Sequence, residues 1–85
     1  MSEERSWEER RYAEVFAQVL RLLELRRVED PHFTPTRLRE FLQDAYFRQE
    51  SDWIGHGLVF DITQAAIIAA YEQFLAAWEA EAEEV

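Results

Sequence analysis

Proline and glycine, the residues that most readily interrupt a helix, occupy only four positions in this chain: Pro31, Pro35, Gly55 and Gly57. They fall in two pairs and divide the sequence into three stretches, each repeating its apolar residues at helical spacing. Three helices follow, over residues 7–28, 35–50 and 62–84, with connectors at 29–34 and 51–61. Pro31 biases Asp30 away from helical geometry and brings no amide hydrogen. Thr34 before Pro35 reads as a cap and first-turn pair. Gly55 and Gly57 supply the backbone freedom that ends the second helix, and Asp61, with Gln64 three residues on, resembles a cap for the third. Ser6 with Glu9 has the same spacing ahead of the first helix.

Two short connections joining three helices predict an up-down-up bundle, a single all-α domain spanning residues 1–85. Tyr12, Val15, Phe16, Val19, Leu20, Leu22 and Leu23 cover an arc of roughly 160° on the first helix, wider than the roughly 100° of a one-sided helix. Such an arc implies more than one neighbour. The second helix carries Leu38, Phe41, Leu42, Ala45 and Tyr46 as one stripe, which Phe47 leaves. On the third, Ile67, Tyr71, Phe74 and Trp78 are flanked by Ala66, Ala70 and Ala77, small enough to admit a neighbouring backbone. The topology also brings Glu79, Glu81, Glu83 and Glu84 toward Arg26, Arg27, Arg37 and Arg39. Exposed pairs of this kind are individually weak, so they order the tail rather than hold the fold.

The chain has 85 residues, net charge −9, no cysteine and no lysine. Disulfide, thiolate-metal and redox-thiol chemistry are therefore excluded. The opening Met1-Ser2-Glu3-Glu4-Arg5 is charged, unlike a secretory leader, and the longest apolar run, Ala65 to Tyr71, is far short of a membrane span. A cytoplasmic protein of bacterial type is expected. No basic residue follows Arg48, and Arg10, Arg11, Arg26 and Arg27 have acidic neighbours at helical spacing, so neither nucleic acid nor an acidic membrane is an expected partner.

Candidate chemistry concentrates around the glycines, where Asp52, His56 and Asp61 offer an imidazole and two carboxylates. Their spacing matches no established metal or acid–base pattern, and the preferred reading is a turn shaped by the glycines, with Asp61 as a cap and His56 solvated. Ser6 and Thr34 read as caps, leaving no activated nucleophile, and His32 lies in a connector. No catalytic activity, cofactor or metal is expected. Leu58-Val59-Phe60 favours an extended segment.

More than half the residues of the three helices are apolar, against the roughly three in seven that a one-faced bundle helix needs. Trp7, Phe33, Phe47 and Trp53 also fall outside the clean stripes. The surplus points to a protein-interaction module, most simply a homodimer that also binds a further protein, with Val15, Leu22, Leu25 and Trp53 at the interface. An acidic decoy that occupies a basic partner, as an antitoxin or nucleic-acid mimic does, is the alternative; a metal-binding or enzymatic role at the 52–61 loop is the third.

Overall fold

The computed structural model describes residues 3–51 and 58–83, and it is all-helical. Helix α1 spans Glu3–Glu29, α2 Pro35–Ser51 and α3 Leu58–Glu83. A helix of 27 residues is about 40 Å long, which accounts for most of the 47 Å long axis. The radius of gyration, 14.7 Å, exceeds the roughly 12 Å of a spherical domain of this length. The molecule is a rod of side-by-side helices.

Helices α1 and α3 both begin earlier than the caps imply. Helix α1 begins at Glu3, so the Ser6–Glu9 box lies within it rather than ahead of it. Leu58-Val59-Phe60 is not extended but forms the first turn of α3, and Asp61 stands inside that turn rather than at a cap. Three residues with no strand beside them would leave their amides unpaired, whereas one more helical turn pairs the carbonyls. The Gly55 and Gly57 positions lie outside the described residues.

The first connector follows its sequence closely. The Asp30 amide donates to the Arg26 carbonyl at 2.8 Å, closing α1, and the Phe33 amide donates to the Asp30 carbonyl at 3.1 Å. The Asp30 carboxylate accepts from the His32 amide at 2.9 Å. The Thr34 hydroxyl then accepts from the Arg37 amide at 3.2 Å, the N-cap its position predicts.

Packing runs through α3. Helix α1 lies against α3 and α2 lies against α3, but no Cα of α1 comes within 8 Å of α2 among the described residues. Ion pairs fix the directions. Arg27 and Glu81 join the carboxyl ends of α1 and α3, which are therefore parallel, while Arg39–Glu79 and Tyr46–Glu72 run α2 antiparallel to α3. This is the up-down-up order, with the third helix in the middle.

A middle helix needs two apolar faces, and α3 has them. Ala66 and Ala70, on the side of Glu81, are fully buried and bring α1 close; Ile68 and Leu75, on the side of Glu72 and Glu79, are buried toward α2. Leu38 of α2 is fully buried, and Leu23, Leu42 and Ala45 complete the centre. The broad arc of α1 consequently meets one neighbour, not several. Val15 and Leu23 are buried and Phe16, Val19 and Leu20 are half-buried, while Leu22 is exposed.

Phe33 is the main correction to the sequence reading. It belongs to no helix, yet it is 4% exposed, its ring 5.5 Å from Trp78 and 6.4 Å from Phe41. Phe74 meets Trp78 edge-on at 5.6 Å. The Arg26 guanidinium lies 5.2 Å from the Phe33 ring centre and 5.4 Å from that of Phe41, and Arg27 lies 4.5 Å from the Trp78 ring. Aromatic pairs and cation–π contacts at these distances add to burial. One loop residue thus closes the end of the core where all three helices meet.

Truncating a buried Phe costs about 3–5 kcal/mol, a large part of the roughly 4–13 kcal/mol expected for a domain of this length. Phe47, 69% exposed, contributes little. Urea unfolding should therefore show a loss of about 3–5 kcal/mol for Phe33→Ala and under about 0.5 kcal/mol for Phe47→Ala. Equal losses would place Phe33 on the surface.

Candidate interaction surface

Two surfaces remain apolar after the helices have packed. The first is a strip on the back of α1, formed by Leu22, Leu25 and Val28, which are 63%, 52% and 84% exposed. They recur every three residues and so follow one another along the helix surface, Leu22 at the edge of the face that packs on α3 and Leu25 and Val28 successively further from it. Helix α1 owes this strip to the position of α3: with α2 on the far side of α3, no other helix covers it among the described residues.

The second is a groove along the seam of α1 and α3, on the side opposite α2. At one end a cleft of about 490 Å³ lies between Tyr12, Ala13 and Phe16 of α1 and Ala69 and Gln73 of α3. Tyr12 and Phe16 stack there, one turn apart, with centroids 6.2 Å apart. A further cleft, of about 420 Å³, continues from Gln73 and is floored by Leu20, Phe74 and Ala77, with Val28 and Trp78 at its end. Glu24, Arg27 and Glu81 stand on its margin. The alanines that let α1 and α3 approach also leave this seam shallow and open.

Of the expected interface residues, Leu22 and Leu25 are accessible and adjacent. Val15 is not, because it is 8% exposed within the single chain and serves the α1–α3 packing. The sequence placed it at an interface because its position on the helix borders Leu22; only the location of α3 separates the two. Trp53, like Asp52 and His56, lies outside the described residues. Among the described residues no group of three His, Asp or Glu side chains is placed to hold a metal, and no helix is long and apolar enough to cross a membrane. Val28 and the α1–α3 groove are what the periodicity did not reveal. Val28 ends its helix and looks incidental in sequence, while the groove is a product of two helices.

The carboxyl end of α3 is neutralised from both neighbours. Arg27 donates to both Glu81 oxygens, at 2.9 and 3.3 Å, and Arg39 pairs with Glu79. Arg26 instead meets Asp30, and Arg37 meets Glu40, along their own segments. The hydrogen bond from Arg27, reinforced by its charge, holds the Glu81 carboxyl below its ordinary pKa, and Glu81 raises that of Arg27 in return. On α2 the Tyr46 hydroxyl donates to Glu72, which raises the phenol.

A carboxyl whose folded-state pKa is depressed stabilises the fold above its ordinary titration range, and that contribution disappears as pH falls through the folded-state value. Glu81→Gln should therefore lower Tm at pH 7, and the gap to the parent chain should narrow as acid protonates the Glu81 carboxyl. A gap independent of pH would mean that packing, not charge, holds Glu81.

No protein-family profile, curated protein or solved structure matches this chain, so its function has to be argued from these surfaces.

Proposed function

We propose that this protein is a helical interaction module that pairs with a second copy of itself through the back of α1, and that it works by binding rather than by chemistry. The observation that carries this is the strip of Leu22, Leu25 and Val28, three large aliphatic side chains on a surface that no other helix covers among the described residues. Single exposed apolar residues are ordinary, but contiguous ones mark contact sites. The flanking charges suit a second copy lying antiparallel: Arg21 and Glu24 border the strip, so each Arg21 comes within reach of Glu24 on the other chain. A two-fold arrangement repeats that pair twice.

The acidic decoy is less well supported. Two of the carboxylates in the acidic tail, Glu79 and Glu81, are already engaged by Arg39 and Arg27, which leaves them poor mimics of a phosphate row.

Sedimentation velocity tests the proposal. The parent chain should sediment as a dimer, Leu25→Glu as a monomer with unchanged helical circular dichroism, and Leu22→Glu likewise. Two chains of charge −9 repel each other, so added salt should tighten the dimer. A parent chain that is monomeric throughout the accessible concentration range would remove the self-association.

A further inference from the structure

We infer that the α1–α3 groove is a docking site for one basic amphipathic helix of another protein. This rests on the chain being an interaction module; the groove meets the self-association strip at Val28 and Glu24, and Leu22 and Leu25 are not among its lining residues.

The floor of the groove is apolar and its ends are acidic. Tyr12, Phe16, Leu20, Ala69 and Ala77 provide a floor between the two helices. Beyond Tyr12 the same seam continues to Glu8, Glu9 and Ile62, and at the other end it reaches Glu24 and Glu81. Glu9 and Glu24 are fifteen positions apart, about 22 Å along α1, so the groove accepts roughly four turns of helix. Arg27 is the cation among these lining residues, and it is occupied twice over, by the Glu81 carboxylate and the Trp78 ring. With Glu81 neutralised by Arg27, an incoming helix meets net negative charge from Glu8 and Glu9 at one end and from Glu24 at the other, with hydrocarbon between them.

This pattern selects one occupant. A segment with an apolar stripe and Lys or Arg at either end gains in both respects, as helix-in-groove recognition requires. A second copy of this chain would bring a further charge of −9 to the same place, and an acidic helix would be repelled. The small side chains on the α3 wall, Ala69 and Ala77, allow a guest helix to settle close to the backbone. The guest then completes a three-helix bundle with α1 and α3, and α2 lies outside it against α3.

The test uses the whole chain and a synthetic, fluorescein-labelled helix of about eighteen residues, built from Leu and Ala with Lys at both ends, alongside a version with Glu in place of Lys. Fluorescence anisotropy should show saturable binding of the Lys helix, at least about tenfold tighter than the Glu helix, and at least about tenfold weaker in 0.5 M than in 0.05 M salt, as screening shortens. Ala77→Arg, a change at an exposed position, should weaken the Lys helix about tenfold or more while circular dichroism and sedimentation stay unchanged. Glu9→Gln with Glu24→Gln should weaken it several-fold. Leu25→Glu should leave it unaffected, which separates the groove from the α1 strip. Equal binding of the two helices, no saturable binding of either, or binding of the Lys helix that survives Ala77→Arg would overturn the inference.

Discussion

Helix α3 has to be apolar on two sides because the backbones of both other helices pack on it, while among the described residues α1 and α2 meet through side chains such as Arg26 over Phe41. Every other property of the fold follows from that arrangement. Its sequence meets the demand with two kinds of side chain: Ala66 and Ala70, which let α1 approach closely, and Ile68 and Leu75, which fill the space toward α2. A helix that is apolar nearly all round is buried or is waiting to be, and α3 is the more buried of the two long helices. Three helices arranged with one in the middle also hide less surface than three around a common axis. The elongated shape and the uncovered side of α1 have the same origin.

The end of the core is where that economy of contact is made up. Phe33, delivered by a five-residue connector between α1 and α2, fills the space that α1 and α2 do not close by direct contact. Arg26 and Arg27 then lie over the aromatic rings with their charged ends still in solvent, covering apolar surface while pairing with Asp30 and Glu81. The acids of α3 fall at the negative end of its own dipole, an unfavourable place that the arginines of both neighbours offset. Charge and packing at this end are one structure. Because the cations are consumed there, the seam of α1 and α3 is left acidic.

Much of this could be read in advance. The proline pair, Thr34 and the spacing of Leu38, Leu42 and Ala45 define the connector and α2 within a residue or so, because caps and stripes are local. The meeting of Arg27 with Glu81 and of Arg39 with Glu79 followed from topology alone, since short connections force the helix ends together. What could not be read depends on which helix stands in the middle. Val15 and Leu22 are neighbours on one arc, and nothing local says that the first is buried and the second exposed. Phe33 lies outside any period, so its burial is invisible to pattern. Leu58-Val59-Phe60 has strand-forming residues, but with no partner strand the helix that follows absorbs them.

Residue-resolved hydrogen exchange tests the central place of α3 most directly. If α3 supports both neighbours, the amides of Ala66 to Leu75 open only when the whole molecule unfolds, and those of α1 and α2 exchange at the same rate or faster. Protection that is greatest in α1, with the middle of α3 exchanging first, would contradict the account.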